Sequence, residues 1–134
     1  AQRDRAAVLA CFAEDAQIII RHGDAAERCF HAAPDRQQAP LAAFFDHLWS
    51  KFDAAFTEFE HFVDVEAGRC AATFLATLTP HENSPVRDQG AQRLRNCNFF
   101  LCRDGLIEKM IIYYAQPGAE PGRATGYPQQ ASWL

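Results

Sequence analysis

Residues 40–66 read PLAAFFDHLWSKFDAAFTEFEHFVDVE, and the spacing of their apolar residues changes partway along. In the first half, large apolar side chains recur every three or four residues, as on a helix with one face on a core: Leu41, Phe44, Phe45, Leu48, Trp49 and Phe52. Pro40 suits the first turn of this helix, predicted over 40–53. From Phe56 apolar and polar residues alternate, which predicts a strand.

More strands are predicted on both sides of this stretch. The N-terminal part predicts a short helix over 4–13, a strand over 15–21, a turn at Gly23-Asp24 and a short strand near Arg28 to His31. The C-terminal part predicts strands over 69–78, 91–102 and 107–115, the last two joined by a hairpin turn at Asp104-Gly105. This order predicts an α+β domain with a curved antiparallel sheet wrapped by helices.

Composition limits the function classes. The length of 134 residues predicts one domain. The net charge of −4 argues against a nucleic-acid-binding protein, because such proteins carry clustered positive charge. No apolar run is long enough to span a membrane, and no signal peptide is recognised, so a soluble, cytoplasmic protein is expected. The five cysteines lack metal-ligand spacing and are predicted to be small buried hydrophobes in a reducing compartment: Cys11, Cys29, Cys70, Cys97 and Cys102. No metal and no cofactor are expected.

The strand over 107–115 is apolar on both faces. Ile111 and Tyr113 share one face, and Met110, Ile112 and Tyr114 share the other. An antiparallel strand usually exposes one face to water, so a second apolar face indicates that something covers it. A partner subunit is the simplest cover, and a homodimer is predicted.

Two motifs resemble those of a known family. The string Cys11-Phe-Ala-Glu-Asp-Ala16 before a strand resembles the helix-to-strand junction of SnoaL-like proteins. Asp104-Gly105-Leu-Ile107, followed by a strand closing on Tyr113-Tyr114, is similar to their hairpin and final strand. Together with the helix over 40–53, the resemblance to the SnoaL-like and nuclear transport factor 2-like families covers residues 4–115. It implies a cone-shaped, cystatin-like α+β roll over residues 1–115. Residues 116–134, rich in Pro and Gly and without a period, are predicted to form a mostly mobile tail, with docking through Tyr127 and Trp133 as the alternative.

The resemblance also implies a mostly apolar pocket that binds a small hydrophobic molecule. Relatives include ketosteroid isomerases, polyketide cyclases, epoxide hydrolases, dehydratases and non-catalytic assembly domains, so the fold does not decide the function. The cyclases' acid/base aspartate matches Ala115 here, and the isomerases' general base and proton-donating acid match Ile20 and about Cys97. Those two mechanisms are therefore expected to be absent.

Candidate site residues remain on this fold. The predicted catalytic residues are His61 on the apolar face of its strand, and His31 and Asp35 near the mouth of the cone. The predicted ligand-binding residues are Asn98, Tyr113 and Trp49. Asn96 and Asn98 share a strand face opposite Arg93 and Arg95, so the cavity is lined either by the amides or by Arg95. Two hypotheses follow: a small-molecule-binding domain, catalysing isomerisation, cyclisation, dehydration or hydrolysis if it is an enzyme, or a non-catalytic dimeric assembly domain with a filled cavity.

Overall fold

The computed structural model of the protein describes residues 4–23 and 25–115. The predicted tail, 116–134, lies outside the described residues. In chain order the elements are α1 (Arg5–Leu9), β1 (Phe12–Arg21), β2 (Arg28–His31), β3 (Ala39–Pro40), α2 (Leu41–Lys51), β4 (Phe52–Asp64), β5 (Arg69–Pro80), a 3₁₀ turn (Arg87–Gln89), β6 (Gln92–Arg103) and β7 (Leu106–Ala115).

The seven strands form one open, curved sheet in the order β3-β2-β1-β7-β6-β5-β4. Strands β4 to β7 are successive antiparallel neighbours, and the two helices complete an α+β fold, which confirms the predicted class. The sheet is mixed rather than wholly antiparallel, because β1 runs parallel to β7 and β2 runs parallel to β3. The first and last long strands are thus neighbours at the centre of the sheet.

The helices are shorter than predicted, and two strands begin earlier. Asp4 caps α1 by accepting a hydrogen bond from the backbone N–H of Ala7 at 2.9 Å, but the helix ends at Leu9 rather than at residue 13. Its continuation is lost because the Cys11 carbonyl accepts a hydrogen bond from Ile107 N–H at 2.8 Å, which draws the chain into the sheet. Strand β4 begins at Phe52, directly after α2, because it pairs with β5 from its first residue.

The strand register divides the side chains between two faces. On one face Ile20, Ile112, Asn98, Ala72 and His61 stand in a single row across five strands. Leu41 of α2 packs into the same buried cluster as Ile20 and Ile112, so this is the inner face, covered by the helix. The opposite row belongs to the outer face: Ile19, Ile111, Phe99, Ala71 and Phe62.

Aromatic rings fill one end of the inner face. The Phe44 and Phe45 rings of α2 are 5.0 Å apart between centroids, and Phe45 lies 5.6 Å from Trp49. Phe30 of β2 packs edge-on against Phe44 at 5.7 Å, and Phe12 of β1 against Phe45 at 6.0 Å. The predicted apolar stripe of the helix is therefore the side that meets the sheet.

A bulge alters the predicted alternation of β4. The register shifts between Thr57 and Glu60, and Glu58 has a φ angle of 58°. The bulge brings Phe56 and Phe59, three positions apart, to the same ring, because both pack on Phe74 of β5. β4 is an edge strand, and both phenylalanines are exposed.

Candidate ligand-binding site

Two asparagines of β6 stand on the inner face with buried amide oxygens. Asn98 is 7% exposed, and its Nδ2 lies 3.9 Å from the sulfur of Met110, a weak acceptor. The Oδ1 atoms of Asn96 and Asn98 are buried and have no hydrogen-bond partner among the described residues. Buried side-chain oxygens are nearly always paired, so two orphans on one strand face single out this part of the inner face as the candidate site.

The surroundings of the asparagines are apolar. The register places Asn98 between Ala72 and Ile112, both buried, and Asn96 between Phe74 and Tyr114. This combination, an apolar wall with a few polar groups, is typical of sites for small organic ligands. The sequence left open whether the amides or Arg95 face the cavity. The strand register places the two amides on the inner face and Arg95 on the outer face, where Arg95 is paired with Glu58.

A second polar group lies beside the asparagines, where β1 and β7 end. The ring of His22 stacks on Tyr114 at 4.1 Å with an interplanar angle of 2°, and its Nδ1 lies 2.9 Å from the Tyr114 carbonyl oxygen. Since a carbonyl only accepts, Nδ1 carries the proton in this contact. Arg28 reaches the Tyr114 hydroxyl with its Nη2 at 3.4 Å. A pocket of about 340 Å³ opens at this end of the strands, lined by His22 and Tyr114 and also by Arg21, Glu27 and Tyr113, but not by the asparagines.

Tyr113 faces away from this group. It is on the outer face, 40% exposed, where its hydroxyl accepts a hydrogen bond from Arg21 Nη1 at 2.7 Å and its ring meets Phe99 edge-on. Arg21 also donates through Nε to Glu27 at 2.7 Å. The predicted ligand-binding role of Tyr113 would thus be exercised on the face opposite Asn98.

The ion pair beside Tyr113 changes the pKa values of its neighbours. The hydrogen bond from Arg21 lowers the pKa of Glu27, and the bonds to Glu27 and then Tyr113 raise the pKa of Arg21. Burial raises the pKa of the Cys29 thiol, and its contact with the Glu27 carboxylate at 3.6 Å adds to the effect. This thiol is therefore held in its protonated form.

His61 and Trp49 occupy two different regions of the inner face. His61 is exposed on edge strand β4 and stacks on Phe59 at 5.7 Å. Trp49 is half-buried in the aromatic cluster of α2, and its carbonyl accepts a hydrogen bond from His81. His61 shares the register row of Asn98, with Ala72 between them.

His31 and Asp35 lie at the other side of the sheet. His31 ends β2, and Asp35 organises the following loop, where its Oδ1 accepts the Gln37 N–H at 2.8 Å. No hydrogen bond joins His31 to Asp35 within residues 4–23 and 25–115. Five strand spacings separate β2 from β4, about 24 Å, so the structure does not bring His31 and His61 together. The catalytic roles of these residues stay predictions.

Within residues 4–23 and 25–115, no group of three or more His, Cys, Asp and Glu side chains is placed to hold a metal ion. None of the helices described is long and apolar enough to cross a membrane.

Comparison with known proteins gives structural neighbours only. No family model matches the chain, and no curated protein matches it. A candidate polyketide cyclase from Silicibacter sp. TM1040 is 27% identical, with a TM-score of 0.57 over 80% of this chain and 74% of that chain. An NTF2-like protein from Burkholderia xenovorans LB400 is 18% identical, with a TM-score of 0.59 over 83% and 76%.

The chain has the fold of the SnoaL-like and NTF2-like superfamily. A phenazine biosynthesis-related protein from Pseudomonas aeruginosa shares this NTF2-like fold, with a TM-score of 0.67 over 94% of this chain and 80% of that chain at 15% identity. The predicted superfamily is thereby confirmed.

Sequence reasoning missed three residues near the asparagines of this NTF2-like domain. His22 lies between the predicted strand over 15–21 and the predicted turn at Gly23-Asp24, and Arg28 begins a predicted short strand. Tyr114 was predicted only to lie on the face opposite Tyr113. Their meeting depends on the parallel pairing of β1 with β7, which places His22 beside Tyr114. No local pattern signals that pairing.

Proposed function

We propose that this NTF2-like domain binds a small, mostly apolar molecule on the inner face of its sheet, with Asn98 accepting a hydrogen bond from it. The two buried, unpartnered amide oxygens of Asn96 and Asn98 carry this proposal. Each such oxygen costs about 1–3 kcal/mol of stability, a cost that a ligand hydroxyl or amine would offset.

The structural neighbours support a small-molecule role without naming a ligand. They include candidate polyketide cyclases and a phenazine biosynthesis-related protein. An asparagine amide can bind and orient a ligand, but it does not act as a general acid or base at neutral pH. Isomerisation, cyclisation, dehydration or hydrolysis would need an acid or base in addition. His61, in the register row of Asn98, is our proposal for it on the inner face, and His31 and Asp35 stay proposals at the β2 side of the sheet, where the register places His31 on the outer face.

The experiment compares 2-naphthol with 2-methoxynaphthalene by isothermal titration calorimetry. We expect 2-naphthol to bind the wild type about tenfold more tightly, because only the free hydroxyl donates to an amide oxygen. Asn98→Leu should remove this preference. The variant should also unfold at a slightly higher temperature, since it no longer buries an orphan oxygen, and that gain separates lost binding from lost folding.

Arg93→Gln is the matched control, since Arg93 is on the same strand but on the outer face. It should keep the preference for 2-naphthol. Equal affinities for both naphthalenes, or an unchanged preference in Asn98→Leu, would overturn the proposal.

We further propose that the domain forms a homodimer through its outer face. Three large side chains on that face are strongly exposed: Phe62 at 55%, Phe99 at 43% and Tyr113 at 40%. A shallow apolar pocket of about 330 Å³ lies beside Phe62 and Phe99. An exposed apolar row of this kind is typical of an interaction surface. It favours the assembly-domain hypothesis as the second candidate function.

The thiols support a reducing environment for this chain. All five cysteines are free, although none is buried as expected and Cys11, Cys29 and Cys102 are exposed. Free thiols are usual for proteins of the cytoplasm, and we propose that location.

A further inference from the structure

The inner face of β4 carries two exposed aromatic rings. Phe56 is 45% exposed and Phe59 is 53% exposed, although both pack on Phe74 of β5, which is itself buried. Helix α2 packs on the other side of the inner face, where Leu41 joins the buried cluster of β1 and β7. The β4 side therefore presents apolar rings to solvent, and an exposed apolar surface of this kind indicates that something binds there.

The chain leaves the sheet at the level of these rings. One register row joins the last residue of β7 to the bulge of β4: Ala115, Arg95, Leu75 and Thr57. Thr57 directly follows Phe56 in the sequence, and Phe59 is two positions further on. Three strand spacings, about 14 Å, therefore separate Ala115 from the part of β4 that carries both rings.

The segment that follows Ala115 brings a large aromatic side chain within reach. Residues 116–134 lie outside the described residues, and eighteen positions separate Ala115 from Trp133. An unfolded chain of that length has a root-mean-square end-to-end distance of about 23 Å, which is comparable with the distance to the two rings. A tether of this length gives an effective concentration of roughly millimolar, so a contact too weak to recruit a separate protein suffices within one chain.

The charge of β4 disfavours a second copy of the chain as the occupant. Residues 52–66 contain five acidic residues and no Lys or Arg: Asp53, Glu58, Glu60, Asp64 and Glu66. Two such strands brought together would repel each other, and charged side chains are a common means by which edge strands avoid self-association. Residues 116–134 contain one acidic and one basic side chain, Glu120 and Arg123, so they meet no such repulsion.

We propose that Trp133 packs on Phe56 and Phe59, so that the segment after β7 folds back over the β4 side of the inner face. An indole has a large apolar surface and packs well against other aromatic rings, as Trp49 does against Phe45 at 5.6 Å. The C-terminal segment and α2 then cover the inner face from its two sides. This inference does not depend on a ligand at the asparagines.

The test is ¹⁹F NMR of the protein labelled with 5-fluorotryptophan. The chain has two tryptophans, and Trp133→Phe identifies the resonance of Trp133. We expect this resonance to be displaced from its position in a labelled peptide of residues 116–134, because the rings of β4 surround the indole. Phe56→Ser or Phe59→Ser should return it to the position in the peptide. The Trp49 resonance shows in each variant that the domain is still folded.

Phe62→Ser is the matched control. Phe62 is on the same strand and is 55% exposed, but the register places it on the outer face, so this variant should leave the Trp133 resonance where it is in the wild type. A wild-type resonance at the position of the free peptide overturns the proposal. So does a displacement that survives both inner-face variants, or one that Phe62→Ser also removes. A displacement that disappears on dilution assigns the contact to a second copy, which overturns docking within one chain.

Discussion

At the scale of single residues, Asn98 sets stability against binding. A leucine in its place would pack against Ala72 and Ile112 without an unpartnered oxygen, so the protein carries a polar residue where an apolar one would be more stable. Proteins accept such a cost mainly where a site needs it.

The Arg21–Glu27 pair makes stability depend on pH. Glu27 has a lower pKa in the folded protein than its ordinary 4.5, because Arg21 hydrogen-bonds the carboxylate. Its contribution is therefore present above pH 4.5 and is lost as the pH falls through the lower folded value. We expect Glu27→Gln to melt below the wild type at pH 7, with the difference shrinking as the pH falls below 4.5 and the carboxylate is protonated.

Thermal unfolding monitored by circular dichroism across this pH range measures the difference. Glu66→Gln, an exposed position in the turn before β5, is the control and should shift the melting temperature little at any pH. A Glu27→Gln difference that stays constant down to about pH 3 would show that the carboxylate charge does not carry the effect.

The site could be predicted from sequence only in part. Alternation identified Asn96 and Asn98 as one strand face, because that inference needs only the two-residue period. It did not say which face is the inner one, and it did not find Arg28 or His22. Those answers depend on strands that are distant in sequence, and only the register supplies them.

At the scale of elements, two tight turns end in glycines with positive φ, but only one is crowded. Asp104 and Gly105 have φ angles of 53° and 75°, as the predicted hairpin turn requires. Gly68, between β4 and β5, has a φ of 63°, and a Cβ there would be 2.7 Å from the carbonyl oxygen of Cys102. Its own carbonyl accepts the Cys102 N–H at 2.8 Å, so the turn is fastened to β6.

We expect Gly68→Ala to destabilise the protein by about 3 kcal/mol, and Gly105→Ala by about 1 kcal/mol. Both variants strain the backbone, but no atom lies within 4 Å of a Cβ at Gly105, so the difference isolates the contact with Cys102. Urea unfolding at equilibrium gives both values. Equal losses would mean that the backbone of β6 shifts to admit the methyl group at little cost.

The elements themselves were mostly predictable, because their patterns are local. The helix over 40–53 and the strands after it follow from periodicity, and α2 and β4 to β7 appear in that order. The end of α1 and the start of β1 were misplaced, since Cys11 and Phe12 join the sheet through contacts with Ile107. The helix propensity of an alanine-rich segment is a local property, whereas the contact that ends this helix comes from a residue distant in sequence.

At the scale of the whole molecule, the exposed row on the outer face predicts association. We expect sedimentation velocity to show a dimer for the wild type and a monomer for Phe99→Asp, because a charge on that row would be buried against a second apolar surface. Phe56→Asp is the matched control. Phe56 has a similar exposure, 45%, but lies on the inner face of edge strand β4, and this variant should remain dimeric.

A wild type that sediments as a monomer would contradict the proposed outer-face dimer. If Phe56→Asp were monomeric and Phe99→Asp still dimeric, the interface would lie on the inner face of β4 instead.

The central parallel pair has a consequence for how the protein is made. Arg21 of β1 and Tyr113 of β7 are neighbours although 92 positions separate them in the chain. While the ribosome synthesises the polypeptide, Ile18, Ile19 and Ile20 can pair with β2 soon after they emerge, but their second partner strand, β7, does not yet exist. Until β7 is made, one edge of the isoleucine run stays unpaired, and an unpaired apolar strand edge of this kind favours aggregation during synthesis.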